Sequence, residues 1–195
     1  MTEYPNWFKS SGAAVYFLRN LRAYAGQPMT ALQIGAYTGD ATEWLFENVL
    51  THPDSKLVDV DPWTGSDEPA HEKLDWKSVE ETYLARHQDK IDSGRLEVFK
   101  GTSDEFFGSE AGRRGFHFIY IDGNHEAAPV LRDGMNAVHR VGVGGIVAFD
   151  DYLWTLGRGL WADPKPAIDA IATCYSNKFE VIDKGTQVWL KRTSL

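Results

Sequence analysis

Apolar residues along the chain alternate between two periodicities. Short, nearly continuous apolar runs predict buried strands at 30–34, 56–61, 95–100, 116–122 and 144–151. Apolar residues three and four positions apart predict helices at 13–25, 40–50, 71–91, 125–141 and 164–176, with a short helix or irregular segment at 102–112. Residues 178–192 predict a hairpin around Lys184-Gly185. Strands that alternate with helices predict an α/β fold: a mostly parallel sheet with one antiparallel strand.

Composition narrows the class of protein. The 195 residues, with 43% hydrophobic residues and no linker-like segment, predict one domain. The N-terminal stretch MTEYPNWFKSSG lacks the pattern of a signal peptide, and no apolar run is long enough to span a bilayer. The single cysteine, Cys174, excludes an internal disulfide. We therefore expect a cytoplasmic protein without a membrane partner, and the net charge of −8 argues against nucleic acid as a partner.

Carboxylates are the last residues of two of the predicted strands. Asp122 ends the fourth strand, and Asp150 and Asp151 end the fifth, in the stretch FDDYLW. Carboxyl ends of neighbouring parallel strands meet at one edge of a sheet, so these three side chains should converge. Three carboxylates without cysteine form an oxygen cluster that suits Mg²⁺, Ca²⁺ or Mn²⁺. The alternative is that Asp151 only caps the loop.

The turn after the first strand, LQIGAYTGDAT, contains Gly35 and Gly39. A glycine-containing turn between a strand and a helix places backbone N–H groups beside a ligand. A dinucleotide fingerprint needs a glycine where Tyr37 stands, because the backbone must approach the pyrophosphate there. The turn therefore favours a smaller adenosyl ligand over a dinucleotide. The alternative is that a turn with this glycine spacing is purely structural and binds no ligand.

Three further residues at the same sheet edge are candidates for the site. Asp61, at the end of the second strand, lies near the spacing at which an acidic residue binds a ribose diol; Asp59 is the alternative. Trp63 could cover a ligand or simply pack in the core. His125, three residues after Asp122, lies at the ligand-binding edge of the sheet, whereas the other five histidines are expected on the surface or in packing.

The segment from Tyr152 to Pro164 is the candidate for acceptor selection. It contains aromatic residues for a flat acceptor, glycines that permit motion, and Arg158 for an anionic group. A surface loop that folds its tryptophans into the core remains the alternative.

Taken together, these motifs resemble those of the class I S-adenosylmethionine-dependent methyltransferases over roughly residues 30–192. LQIGAYTGDAT is similar to their first motif, VDVDPW to their second, and IYIDGNHEAAPVLRDGMNAV with GGIVAFDDYLW to later ones. The likeness is greatest to small-molecule O-methyltransferases of the catechol and caffeoyl-coenzyme A type and their bacterial relatives that act on sugars. It implies a Rossmann-like, seven-stranded sheet with helices on both faces, a catalytic core at 30–192 and an N-terminal helical segment at 1–28.

The resemblance also implies roles for individual residues. In metal-dependent members, the corresponding carboxylates hold a divalent cation, which implies Mg²⁺ at Asp122, Asp150 and Asp151. Asp122 and His125 take the catalytic positions. The implied contacts to S-adenosylmethionine are Gln33, Gly35, Tyr37, Gly39, Asp61, Trp63, Thr102, Ser103 and Asp122.

Two residues depart from the family pattern. The catechol-type enzymes have a catalytic lysine where this chain has His125, which leaves the identity of the base open, although a histidine of near-neutral pKa is chemically capable. Gln33 stands where the family usually has Glu or Asp, and it can still accept a hydrogen bond.

We therefore expect methyl transfer from S-adenosylmethionine to a hydroxyl group of a small molecule, assisted by a divalent cation. One alternative is a metal-independent or sugar-directed methyltransferase with His125 as the base. Another is a non-catalytic binding subunit that kept the sheet, and a nicotinamide oxidoreductase is disfavoured by Tyr37. The sequence does not identify the acceptor, and it leaves a homodimer open.

Overall fold

A computed structural model describes residues 4–195. Its centre is a seven-stranded sheet in the order β3-β2-β1-β4-β5-β7-β6. Strands β1 to β5 are parallel to one another, and β7 is antiparallel to both of its neighbours. The strands are β1 (Thr30–Ile34), β2 (Lys56–Asp61), β3 (Leu96–Lys100), β4 (Phe116–Ile121), β5 (Val141–Phe149), β6 (Phe179–Lys184) and β7 (Val188–Arg192).

Helices cover both faces of the sheet. The helices are α1 (Trp7–Ser10), α2 (Ala13–Leu21), α3 (Asp40–Asn48), α4 (Trp76–Asp92), α5 (Ser103–Gly108), α6 (Ala127–Val138) and α7 (Lys165–Cys174). Helices α2, α3 and α4 bury apolar residues on one face, and α5, α6 and α7 do so on the other. Alternate residues of each strand supply the two cores, as the twofold period of a strand requires. Within residues 4–195, no helix combines the length and apolar character needed to cross a membrane.

The predicted architecture is confirmed. Strands β1 and β2 have the predicted bounds, the C-terminal hairpin forms, and β7 is the one antiparallel strand. The N-terminal helical segment contains α1, α2 and a short 3₁₀ turn at Arg22–Tyr24. Of that predicted segment, residues 1–3 lie outside the described part of the chain.

The clearest difference from the predicted elements lies before α4. The helix was predicted from residue 71, but it begins at Trp76, and the preceding residues form turns. Hydrogen bonds between side chains and the backbone hold these turns: the Ser66 backbone N–H donates to His71 Nδ1 at 3.2 Å, and Trp76 Nε1 donates to the His71 carbonyl at 3.2 Å. These contacts bring the segment from Pro62 to Asp75 to the carboxyl edge of the sheet.

Gly35 lets the first and fourth strands approach each other at that edge. It has φ +86°, and a Cβ atom added there would lie 2.0 Å from the carbonyl oxygen of Asp122. Only glycine fits this position, because both the backbone conformation and the space exclude a side chain. The glycine turn and Asp122 are thereby held side by side.

Candidate active site

A cavity of about 660 Å³ opens at the carboxyl edge of the sheet. Its floor consists of residues at the ends of β1, β2, β4 and β5, and Trp7 and Phe8 of α1 contribute to one wall. A volume of this size is typical of a small-molecule site. Among residues 4–195, eight carboxylates and one arginine line it: Asp40, Asp61, Glu68, Asp104, Asp122, Asp133, Asp150, Asp151 and Arg132.

Gln33, near the carboxyl end of β1, lines this cavity and has an acceptor oxygen that no described residue uses. Gln33 is 1% exposed, and its Nε2 donates to the Gly35 carbonyl at 2.8 Å, while its Oε1 has no partner among the described residues. Tyr37 lines the cavity with φ +50° and stacks on Trp7 with ring centroids 4.3 Å apart. Gly39 does not line the cavity; its carbonyl accepts a hydrogen bond from His87.

Asp61 lines the cavity, and Asp59 does not. The Asp61 carboxylate accepts three backbone hydrogen bonds, from Ala36 and Tyr37 at Oδ2 and from Trp63 at Oδ1. Burial raises the pKa of Asp61, and these three hydrogen bonds oppose that rise. Since a carboxylate has about four acceptor positions, Asp61 retains room for one further donor, not the two hydroxyl groups of a diol.

The remaining implied cofactor contacts divide between the cavity and the core. Trp63 is buried, packs against Tyr83 with ring centroids 5.0 Å apart, and lies outside the cavity lining. Thr102 lines the cavity, but its hydroxyl forms the capping box of α5 with Glu105. Ser103 lines the cavity beside Asp133. The structure thus brings Ser103 and Thr102 to the cavity and leaves Trp63 in the core.

The structure brings a histidine into the carboxylate cluster. Asp122, His125 and Asp151 each offer one ligand atom, and these three atoms lie within 4.8 Å of one another. Asp150 lines the same cavity, but its oxygens already accept hydrogen bonds from Tyr120, Gln187 and the Asp151 backbone. The geometric triad therefore differs from the implied set by His125 in place of Asp150.

Charges within this cluster perturb one another strongly. Burial raises the pKa of Asp122 well above its usual range, and Asp150 and Asp151 raise it further. Burial alone would lower the pKa of His125, but hydrogen bonds to Asp151 and Glu68 outweigh it and raise this pKa to about 10. The pKa of His125 therefore lies above the near-neutral range considered from the sequence, because Asp151 and Glu68 favour the protonated imidazole between them.

Glu68 is a site residue that the sequence interpretation missed. Its Oε1 accepts a hydrogen bond from His125 Nδ1 at 2.7 Å and another from the Ser66 hydroxyl at 2.6 Å. His71, expected in packing or on the surface, also lines the cavity, and burial lowers its pKa. The sequence signal that could have identified Glu68 is its position shortly after β2, since ligands bind at the carboxyl ends of the strands in such folds.

The loop from Tyr152 to Pro164 contributes one aromatic wall. Trp154 lies over His125 with ring centroids 4.4 Å apart, while Tyr152 is buried and Trp161 is 60% exposed. Arg158 does not line the cavity; it pairs with Asp67 at 2.9 Å. The loop therefore does not offer a free arginine to an anionic acceptor, and Trp161 does not fold into the core.

Comparison with known proteins identifies the family. A sequence model of a methyltransferase domain matches residues 32–152. A search of curated proteins by sequence found no match. Among solved structures, the O-methyltransferase TomG from Streptomyces achromogenes, in complex with SAM, has a TM-score of 0.65 at 17% identity, covering 95% of this chain and 80% of TomG.

Two other structures are similar. Cofactor-bound Rv0187 from MTB has a TM-score of 0.67 at 17% identity, with 99% of this chain and 85% of that chain covered. The MycE methyltransferase of the mycinamycin biosynthetic pathway, solved with Mg, SAH and mycinamycin VI, has a TM-score of 0.62 at 19% identity; the match covers 99% of this chain but 51% of MycE. The family match spans more than half of the sequence, and the three solved methyltransferase structures share the fold of this chain. The chain belongs to the methyltransferase-domain family and has the class I methyltransferase fold.

Proposed function

We propose that this protein transfers a methyl group from S-adenosylmethionine to a hydroxyl group of a small molecule with the help of a divalent cation. The observation that carries the proposal is one cavity with two chemically different parts. The glycine turn, Asp61 and the unpaired Gln33 oxygen form one part. Asp122, His125 and Asp151 form the other.

The first part fits the methyl donor. Gln33 Oε1 is a buried acceptor without a partner in the described chain, and the donor's ammonium group is a suitable partner for it. Asp61 has one acceptor position left for a ribose hydroxyl. Tyr37 occupies the position at which a dinucleotide would need glycine, which agrees with a ligand that lacks a pyrophosphate.

The second part fits a hard cation. Asp122 and Asp151 would hold it, because carboxylate oxygens are the ligands that Mg²⁺ prefers and the crowded charges favour a positive partner. Asp150, already hydrogen-bonded through both oxygens, orients the Asp151 backbone. Asp151 Oδ2, which lies 2.7 Å from His125 Nε2, would be shared between that hydrogen bond and the cation if Asp151 held one.

When bound, S-adenosylmethionine supplies an activated methyl group, and a divalent cation lowers the pKa of a bound hydroxyl. Glu68 holds Nδ1 of His125, so Nε2 faces the cluster. Loss of the hydrogen bond to Asp151 would lower the pKa of His125 from about 10, and Nε2 could then hold the proton of the acceptor. Trp154 covers His125 and shields it from water.

The lining also suggests the kind of acceptor. Trp7, Trp76 and Trp154 give the cavity flat apolar walls, and its surplus of carboxylates disfavours nucleic acid and other polyanions. TomG is an O-methyltransferase, and MycE was solved with Mg and mycinamycin VI, which supports transfer to an oxygen atom of a small molecule and a metal-assisted reaction here. We propose such a molecule as the partner, with no membrane involved, and a cytoplasmic location.

A transfer assay separates the proposal from its alternatives. Labelled S-adenosylmethionine is offered with a panel of catechols and sugar diols, in Mg²⁺ or in chelator. We expect transfer in Mg²⁺ and a loss of at least about 100-fold in chelator and in Asp151→Asn, since metal assistance contributes several kcal/mol. Asp67→Asn, at an exposed carboxylate outside the cavity, is the matched control. Full turnover in chelator would favour the metal-independent alternative, and cofactor binding without transfer would favour the binding subunit.

A further inference from the structure

Tyr152 is a buried tyrosine next to the proposed cation site, and the proposed chemistry does not use it. It follows Asp151 and is 5% exposed. Its hydroxyl group donates to Asp169 Oδ1 at 2.8 Å and accepts from Lys165 Nζ at 2.8 Å. Its backbone N–H donates to the carbonyl of Thr186 at 2.8 Å. Tyr152 is thereby connected both to α7 and to the turn between β6 and β7.

Two lysines complete the contacts around this side chain. Lys165 Nζ and Lys184 Nζ lie 4.7 Å and 4.6 Å from the centroid of the Tyr152 ring, close enough for cation–π attraction. Both ammonium groups also donate to the Asp169 carboxylate, and such charge-assisted hydrogen bonds are stronger than neutral ones. We call Tyr152, Lys165, Asp169 and Lys184 the Tyr152 latch. The latch fixes the first residues after β5 to α7 and to the end of β6.

The Tyr152 latch closes the base of the loop at residues 153–164. Tyr152 precedes this loop and Lys165 follows it, and the hydrogen bond between their side chains joins its two ends. Compact loops whose ends lie close together and are packed by their own side chains frequently carry function. In this loop, Trp154 lines the cavity, whereas Trp161 is 60% exposed. The part of the loop next to Tyr152 is therefore the part that contacts the cavity.

Tyr152 lies between two residues whose placement the site requires. Asp151 has φ +55°, a conformation that persists only where the surrounding structure fixes it. The Trp154 backbone N–H donates to the Asp151 carbonyl at 2.8 Å, so the two residues form one turn around Tyr152. Asp151 Oδ2 lies 2.7 Å from His125 Nε2, and the Trp154 ring lies over His125. A shift of Tyr152 would therefore move both residues relative to His125.

We propose that Tyr152 is a positioning residue that, through the latch, holds Asp151 and Trp154 in place for binding of the divalent cation. This inference rests on the proposed function, which assigns Asp151 to the cation. The latch joins the chain after β5 to α7 and β6, whereas Gln33 and Asp61, the proposed contacts of the methyl donor, lie on β1 and β2. Strand β4 separates β1 and β2 from β5, β7 and β6 in the sheet. Loss of the latch should therefore weaken binding of the cation and leave binding of the donor unchanged.

Separate calorimetric titrations with Mg²⁺ and with S-adenosylhomocysteine test the inference. Tyr152→Phe keeps the ring and removes the hydroxyl group, so Mg²⁺ should bind about 10-fold more weakly, at the lower end of what one hydrogen bond to a charged group contributes. The affinity for S-adenosylhomocysteine should stay within about 2-fold of that of the wild type. A merely structural role for Tyr152 would lower the melting temperature and leave the affinity for Mg²⁺ unchanged.

Two variants at Asp169 test the same latch without changing Tyr152, and they decide the matter if Tyr152→Phe does not fold. Asp169→Ala removes the acceptor of the tyrosine hydroxyl at a half-buried position, so it should weaken Mg²⁺ binding to a similar extent. Asp169→Asn retains an oxygen that can accept this hydrogen bond, so its affinity for Mg²⁺ should lie within about 3-fold of that of the wild type. Wild-type affinity for Mg²⁺ in Asp169→Ala would overturn the inference.

Tyr175→Phe is the matched control. Tyr175 follows α7, its hydroxyl lies 3.0 Å from His139 Nε2, and it is outside the cavity lining, so this variant should bind both ligands as the wild type does. Unchanged affinity for Mg²⁺ in a folded Tyr152→Phe overturns the inference alone, and so does an equal loss of affinity for S-adenosylhomocysteine. If the wild-type protein binds S-adenosylhomocysteine but no Mg²⁺, the proposed cation is wrong and the inference falls with it.

Discussion

At the scale of single residues, the site depends on carboxylates that differ in their hydrogen-bond donors. Asp61 has three backbone N–H donors, whereas Asp59, two positions earlier, accepts from the hydroxyl groups of Thr42 and Tyr83 at 2.6 Å each. Burial is complete around Asp59 and raises its pKa to about 7. The sequence pattern alone showed two alternating aspartates; the donors that distinguish them come from α3, α4 and the glycine turn.

The raised pKa of Asp59 predicts how the free energy of unfolding depends on pH. Because the pKa in the folded protein lies above its ordinary value, folding is penalised as pH rises from about 4 through about 7. Asp59→Asn keeps the shape and removes the charge, so it should raise the free energy of unfolding at pH 8 by on the order of 2–4 kcal/mol.

Urea unfolding of both proteins at pH 5 and pH 8 measures this effect. The gain from Asp59→Asn should shrink at pH 5, where the wild-type carboxyl is already protonated. A variant that is less stable than the wild type at pH 8 would show that the charged form of Asp59 is favoured in the fold.

Three residues other than glycine have positive φ, among those described: Tyr37, Trp63 and Asp151. Such conformations cost of order 1–3 kcal/mol and cluster at functional sites. Tyr37 and Asp151 line the cavity, and Trp63 donates its backbone N–H to Asp61. Two of them therefore line the cavity and the third contacts Asp61, and no sequence pattern marks a residue that is not glycine for this conformation.

At the scale of elements, the hydrophobic pattern was sufficient to predict the bounds of strands that are buried. The bounds of β1 and β2 and the C-terminal hairpin follow from apolar runs and turn residues. The pattern failed at 71–75, where polar residues compatible with a helix form turns instead. Contacts among Ser66, His71 and Trp76, together with the Glu68–His125 hydrogen bond, hold these turns, and a local pattern does not contain such contacts.

The junction between β1 and β4 provides a test at the same scale. Gly35→Ala combines a strained backbone with a Cβ 2.0 Å from the Asp122 carbonyl oxygen, so it should cost more than about 3 kcal/mol or prevent folding. Gly94→Ala is the matched control, because Gly94 has φ +69° but no atom within 4 Å of an added Cβ.

We expect Gly94→Ala to cost about 1 kcal/mol, the strain alone. Thermal unfolding of the two variants separates the cost of backbone strain from the cost of the close contact with Asp122. Equal destabilisation of both variants would mean that strain, and not the close approach of Asp122, makes Gly35 necessary.

At the scale of the whole molecule, the order of the strands assembles the site. β1, β2, β4 and β5 are adjacent or nearly so in the sheet but far apart in sequence, and their carboxyl ends bring Gly35, Asp61, Asp122 and Asp151 to one cavity. The sequence predicted this convergence because parallel strands end at a common edge. It did not predict Glu68, Trp7 or Asp133, because their places depend on how loops and helices pack over that edge.

The proposed function depends on the cavity binding S-adenosylmethionine with its ribose at Asp61. Calorimetric titration of the wild-type protein, Asp61→Asn and Asp59→Asn with S-adenosylmethionine measures this binding. We expect binding to the wild-type protein, affinity at least about 10-fold weaker for Asp61→Asn, and unchanged affinity for Asp59→Asn, whose side chain faces away from the cavity. No binding to the wild-type protein, or equal affinity for the wild-type protein and Asp61→Asn, would show that the methyl donor is not held in this way.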